Sequence, residues 1–371
     1  MFHEEDREEE EGAHTPLLPA HPHPHSHPHS QARLHTGSHS QMRSRGVTEG
    51  AAAGGAGGAA GGGGSRKVLR RERASTPDSL RVVWQKFTSE FIGTFVFLLL
   101  GLCATTSSVI TGAQSGIWQG AVVWGIAVSL AIYATSDVSG AHINPAVSLA
   151  MAVMKPDTEF SWFQCAYYII AQVLGSIAAA AVNYAMWSNF IHDYESKNNI
   201  DRGSPGSEVS AMVFCDYFPN ASLYPPQESE HLMSPLGAVV IETLATALLL
   251  FFIFAVSDPH NKAALPAPGP ILIGGAVAII ISTIGPLTQA GLNPARDFGP
   301  RVVAWLAGWD SIAFPGPQNG FWVYIVGPFA GGPLGALLYT HVLHARREDN
   351  HRTSRVSLDA SDRRFDFLDN K

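Results

Sequence analysis

The sequence predicts an all-α membrane protein with six transmembrane helices and two half-helices, arranged as two inverted repeats. Three observations carry this. From Phe87 to Leu343 the chain is dominated by apolar stretches near the roughly 17–25 residues that cross a bilayer as a helix. Asn-Pro-Ala occurs twice, at 144–146 and 293–295, each time ahead of an apolar piece too short to cross. A glutamate inside an apolar span precedes each copy, Glu90 by 54 residues and Glu242 by 51.

Taken in order, spans are expected near 87–108, 117–136, 162–187, 235–257, 270–288 and 321–343. The short pieces, about 144–154 and 293–307, each reach roughly halfway through a bilayer core of about 30 Å at about 1.5 Å per residue. Pro145 and Pro294 stand where a helix begins, and the asparagine before each is a capping residue. Each repeat holds three spans and one half-helix, so the second copy is inverted, and Asn144 and Asn293 approach the midplane from opposite faces.

The loops 138–143 and 285–292 are then non-helical backbone at membrane depth, which is tolerated only inside protein or along a watery cavity. Their carbonyls are expected to line a narrow passage. Asn144 and Asn293 can cap their helices through the side-chain carbonyl and present NH₂ donors to the lumen. A water or hydroxyl passing there points its oxygen at both amides and at two positive helix ends, which interrupts a proton wire and repels cations.

The ends differ from this core. Residues 1–85 are rich in Gly, His, Pro, Glu and Arg, too polar to offset the entropy of ordering, and are expected to be a disordered cytoplasmic tail. They include His21, His23, His25, His27 and His29, a Gly/Ala tract from Ala51 to Gly64, a basic block from Arg66 to Arg73, and Thr76 in a kinase-like context. The channel domain is 86–345, with repeats at about 86–187 and 234–345, and 346–371 forms a second cytoplasmic tail. Basic residues flank the spans at Arg66–Lys86 and Arg346–Arg355 while the loop 188–234 is mainly acidic, so both termini of this multi-pass protein are placed inside and the loop outside. No apolar run opens the chain, leaving the first span to direct insertion. Asn220-Ala-Ser222 is a glycosylation candidate on the outer side.

The net charge of −7 is spread over tails and loops and names no partner beyond the bilayer; nothing calls for nucleic acid. Cys103, Cys165 and Cys215 make neither a disulfide framework nor a metal spacing, and no metal, cofactor or catalytic role is expected. Gly93, Gly125, Gly175, Gly331 and Gly335 are expected to let helices approach closely.

Gly140-Ala-His-Ile-Asn-Pro-Ala-Val-Ser148, and the seventeen residues Gly285-Pro-Leu-Thr-Gln-Ala-Gly-Leu-Asn-Pro-Ala-Arg-Asp-Phe-Gly-Pro-Arg301, resemble the major intrinsic protein (aquaporin) family. The resemblance covers essentially all of 85–345 and is greatest to the glycerol-facilitator, or aquaglyceroporin, branch. Asp297, Arg301 and Ile325 fit that branch, whereas Tyr324 is nearer the water-selective members. The resemblance carries the family's outer constriction onto Trp124, Ile281, Ala290 and Arg296. Ile281 and Ala290 depart from the glycerol facilitator, and the set looks like that of plant nodulin-26-like channels. Trp124 and Ile281 would give an apolar wall for a polyol's C–H face, and Arg296 would donate to its hydroxyls and repel cations. The competing reading makes Trp124 and Ile281 core or lipid-facing residues.

The resemblance further implies that Glu90 and Glu242 accept hydrogen bonds from the Asn-Pro-Ala loops and that His142 anchors its loop. It implies a passive channel for glycerol, water and other small uncharged solutes that excludes protons and ions, assembled as a homotetramer with one pore per subunit. Asp297, Arg301 and Ile325 weigh against the alternative of a water-selective channel. An ion-coupled transporter would need more midplane ionisable groups than Glu90 and Glu242.

Overall fold

The computed structural model describes residues 79–154, 160–259, 261, 263 and 268–344. The histidine tract, the basic block, Thr76 and the residues beyond Arg346 lie outside these. Among the described residues, six helices are long and apolar enough to cross a membrane. The chain is an integral membrane protein.

In order, the helices are α1 (Leu80–Thr111), α2 (Gly116–Ser139), α3 (Pro145–Met154), α4 (Trp162–Lys197), α5 (Glu208–Ala211), α6 (Pro226–Ser229), α7 (Pro235–Ser257), α8 (Gly269–Thr288), α9 (Pro294–Ala304), α10 (Asp310–Ala313) and α11 (Val323–Leu337). The crossing helices are α1, α2, α4, α7, α8 and α11, and the half-helices are α3 and α9. Caps set several of the starts. Ser161 Oγ accepts from Gln164 N–H ahead of α4, and Ser234 Oγ accepts from Gly237 N–H ahead of α7, whose first residue is Pro235.

Three boundaries depart from the sequence expectation. α1 starts at Leu80 rather than Phe87 and α4 runs to Lys197 rather than residue 187, because hydropathy marks only the apolar part of a helix that continues into water. α8 continues through Pro286 to Thr288, so the loop expected over 285–292 shrinks to residues 289–293. The last turn of α8 is held by side chains of neighbouring elements: Gly285 O accepts from Asn220 Nδ2, and Thr288 O from the Tyr324 hydroxyl.

The repeats share one plan. α1 packs on α2 and α4, α7 packs on α8 and α11, and the contact of α2 with α8 joins the two halves. The half-helices cross over: α3 packs against α11 as well as α4, and α9 against α4. Ile92, Leu100, Ile126, Leu130, Leu244 and Leu248 point outward and give the bundle an apolar girdle that suits lipid. Phe97, Leu98 and Trp124 pack in one inner cluster with Met212, Phe214 and Trp309 from the connections.

The α2–α8 seam depends on two facing glycines. A Cβ on Gly274 would run into Ser129 Oγ and the Gly125 carbonyl, and one on Gly125 into the Gly274 carbonyl. Close backbone approach of this kind is the usual device of membrane helices, which gain little from burying apolar surface away from lipid. Gly274→Val is therefore expected to destabilise the bundle by about 1–3 kcal/mol, the usual cost of overpacking. Thermal unfolding in detergent checks this, and an unchanged midpoint would show that the seam yields freely.

Candidate functional site: a passage between the half-helices

The two Asn-Pro-Ala segments begin α3 and α9 and meet head to head. Asn144 Oδ1 accepts from Ala146 N–H at 2.8 Å, and Asn293 Oδ1 accepts from Ala295 N–H at 3.0 Å and Arg296 N–H at 3.3 Å. Each side-chain nitrogen then reaches across the repeats. Asn144 Nδ2 donates to Leu292 O at 3.0 Å and Asn293 Nδ2 to Ile143 O at 2.9 Å. An amide nitrogen has two N–H groups, so one on each asparagine is left over. Pro145, Ala146, Pro294 and Ala295 are buried beneath them.

Getting the asparagines there strains the backbone. Ala141, Ile143, Gln289, Ala290 and Leu292 all have φ between 44° and 60°, a region non-glycine residues seldom occupy. The buried glutamates hold these turns. Glu90 accepts from His142 N–H, Ile143 N–H, Ser139 Oγ and Gln172 Nε2 at 2.7–2.9 Å. Glu242 accepts from Thr288 Oγ1 at 2.6 Å and from Gly291 and Leu292 N–H at 3.0 Å. Both carboxylates are fully buried with acceptor sites occupied, the geometry of an anchor. His142 Nδ1 shares a hydrogen bond with Ser148 Oγ at 3.1 Å, and its ring packs against Phe160 and Tyr168.

A cavity of about 740 Å³ passes the two asparagines. Its lining includes Gly116 at the start of α2 and Gly140 just beyond its end, so it follows the whole helix, about 36 Å long for 24 residues. Trp124, Ile281, Ala290 and Arg296 all line it. The Trp124 N–H is taken up within the wall, where Nε1 donates to Thr105 Oγ1 at 3.1 Å, and Thr105 lines the cavity too. Arg296 Cζ lies 4.9 Å from the Trp124 ring centre, within cation–π range. Its guanidinium reaches Phe214 O at 3.4 Å and the Asp216 carboxylate at 2.9 Å.

Asp297 and Arg301 form a bidentate pair at 2.8 Å, one turn apart on α9 and each about 1% exposed. Arg301 also donates to Asp216 O at 2.7 Å and Ala313 O at 3.0 Å, and Asp297 Oδ1 accepts from Asp216 N–H at 2.8 Å. The pair thus pins the connection between α4 and α7 to α9. Tyr324 is buried, with its hydroxyl donating to Thr288 O, while Ile325 is half-buried on the next turn face.

Asn220, the glycosylation candidate, faces inward. Asn220 is 5% exposed, its Nδ2 donates to Gly285 O at 2.9 Å, and its Oδ1 accepts from Ser222. Asn220 also lines the cavity, and one N–H of its side chain is left over. Sequence reasoning missed Asp216, Gln289 and Thr105. The clue for Asp216 is Ala211-Met-Val-Phe-Cys215, an apolar run in an otherwise polar connection. That run turns inward, and burial pushes the Cys215 thiol up to about 12, so it packs as an uncharged side chain.

The family model for Major intrinsic protein matches residues 78–339. The glycerol uptake facilitator protein of Pseudomonas aeruginosa is 39% identical over 260 residues, 70% of this chain and 88% of its own length. That of Escherichia coli is 37% identical over 257 residues, 69% of this chain and 86% of its own, and the propanediol uptake facilitator of Citrobacter freundii is 35% identical, with 69% and 90% covered. The X-ray structure of the aquaglyceroporin from Plasmodium falciparum superposes with a TM-score of 0.57 at 26% identity, covering 69% of this chain and 95% of that one. With a match over most of its length and a passage built where its two half-helices meet, the chain belongs to the major intrinsic protein family.

Proposed function

We propose that this chain is a passive channel through which glycerol, water and other small uncharged solutes cross the bilayer while protons and ions are excluded. The observation that carries the reading is the cavity running the length of α2, past Trp124 and Arg296 and then between Asn144 and Asn293. A passage as long as the bilayer core needs no rocking of domains to connect the two sides. Glu90 and Glu242 serve as scaffold, since their oxygens are committed to the loops they hold.

The relatives named for glycerol or propanediol uptake, and the aquaglyceroporin neighbour, point to small polyols as substrates. Trp124 and Ile281 supply the apolar wall, Ala290 leaves width, and Arg296 and the spare N–H groups of Asn144 and Asn293 take hydroxyl oxygens in turn. The paired amide donors and opposed helix starts force the orientation that breaks a proton wire. Membership in the family supports a homotetramer, and the basic flanks support cytoplasmic termini.

Stopped-flow swelling of proteoliposomes in water and glycerol gradients tests this. Both fluxes are expected, non-saturating and independent of ion gradients. Water flow without glycerol flow would remove the polyol assignment, and gradient-driven uptake would remove the channel.

A further inference from the structure

We propose that Asp216 is a specificity-determining residue of the constriction: as counter-ion of Arg296 it sets how far the guanidinium projects into the lumen and how strongly its charge acts on a passing solute. The proposal rests on the constriction reading above. Asp216 belongs to the connection between α4 and α7, far in sequence from Trp124, Ile281, Ala290 and Arg296; it stands behind the cavity wall, and its carboxylate meets the Arg296 guanidinium at 2.9 Å with both side chains buried.

The carboxylate is delivered to Arg296 by contacts that do not involve Arg296. Asp216 N–H donates to Asp297 Oδ1 and Asp216 O accepts from Arg301, so its backbone is clamped to α9 from both sides. The next residue is held too: Tyr217 N–H donates to Gln289 Oε1 at 2.8 Å and its hydroxyl to Ile312 O at 3.0 Å. Gln289 Nε2 lies 3.5 Å from the same Asp216 oxygen that pairs with Arg296. The other oxygen, Oδ2, has no hydrogen-bond partner among the described residues. A buried carboxylate oxygen left bare is costly, so a role in folding alone accounts poorly for a charge at this position.

The pair changes what Arg296 can do. A guanidinium has five N–H donors; one reaches Phe214 O, and the ion pair with Asp216 balances the charge. Without a counter-ion the full positive charge would sit in a narrow, poorly solvated passage and would hold hydroxyl oxygens strongly. A polyol presents more than one hydroxyl and would be slowed more than water. With Asp216 ionised, the charge is offset on the wall side and the hydrogen bonds to solute are weak enough to be exchanged, as conduction requires. Gly291 makes room for this: a Cβ there would lie 3.1 Å from Asp216 Oδ2 and press into the Tyr324 ring.

The same geometry makes the pair responsive to acid. Burial lifts the Asp216 carboxyl well above the ordinary carboxylate range; Arg296 opposes this, Asp297 and Glu242 add to it, and Arg301 opposes it. Those groups, with Tyr324 from α11 and the neighbouring Cys215, are the ionisable groups acting with it among the described residues. For a carboxyl with a raised pKa, the ion pair is present above that pKa and is lost as pH falls through it, nearer neutrality than for an exposed aspartate.

The test is stopped-flow glycerol and water flux in proteoliposomes of the full chain, with external pH taken from mildly alkaline to mildly acidic, for wild type, Asp216→Asn and Arg296→Ala. In wild type the glycerol-to-water ratio is expected to fall with acid. Asp216→Asn is expected to show the low ratio at every pH, roughly tenfold below wild type, the scale of one charge-assisted hydrogen bond. An Asp216→Asn channel with the wild-type ratio and pH curve, beside an Arg296→Ala channel of altered selectivity, overturns the role of Asp216 and leaves the constriction standing. An Arg296→Ala channel of wild-type selectivity overturns the constriction itself. Should Asp216→Asn fail to reach the membrane, the other two decide: a ratio that ignores external pH in wild type, or that still follows it without Arg296, overturns the proposal.

Discussion

Vesicles carrying Arg296→Ala are expected to pass solutes that the parent channel excludes, larger polyols and small cations among them. Two effects act together. Truncation removes the side chain that lies over the Trp124 ring, which widens the lumen where Ala290 already leaves it open. It also removes the positive charge. A unit charge about 4 Å from a passing cation costs about 4 kcal/mol at an effective dielectric of 20, and each 1.4 kcal/mol is about tenfold. The barrier loss is thus worth up to about a thousandfold in cation flux, and Asp216, left without its partner, adds an attraction. Potential-driven cation flux into vesicles, with glycerol and longer polyols measured in parallel, reads both effects. Unchanged size cut-off together with unchanged cation exclusion would show that Arg296 is not the filter.

The passage could be anticipated from sequence to the extent that its parts announce themselves locally. An apolar run long enough to cross a bilayer is visible without partners, and so is a proline at a helix start behind a capping asparagine. Glu90 and Glu242 stood out because carboxylates are rare in such runs. What joins these parts is not local. Asn144 bonds to Leu292 and Asn293 to Ile143, 148 and 150 residues away, and neither partner carries a distinguishing side chain. Asp216 was hidden for a related reason: an acidic residue in an acidic connection reads as solvated until the connection is seen folding inward over α9. A three-residue sequon likewise carries no information about burial, and the Asn220 side chain donates to Gly285 O.

Replacing Arg301 by Ala is expected to be the most damaging single change outside the half-helix starts. The side chain is about 1% exposed and has no water to turn to. Four of its five donors serve both Asp297 oxygens, Asp216 O and Ala313 O, and its Cζ lies 5.4 Å from the Tyr217 ring centre. Truncation strands the Asp297 carboxylate and two carbonyls in the interior, and breaking a buried pair from one side costs about 3–5 kcal/mol. Arg301→Lys is no remedy, because a single ammonium cannot make the bidentate contact and reach both carbonyls. The double change Asp297→Asn with Arg301→Met should recover part of the loss, because it removes both charges together. The readout is the detergent-solubilised unfolding midpoint, followed by glycerol flux of whatever folds. A wild-type midpoint for Arg301→Ala would mean that the connection between α4 and α7 is held by other contacts. In that case the placement of Asp216 against Arg296 could no longer be credited to this clamp.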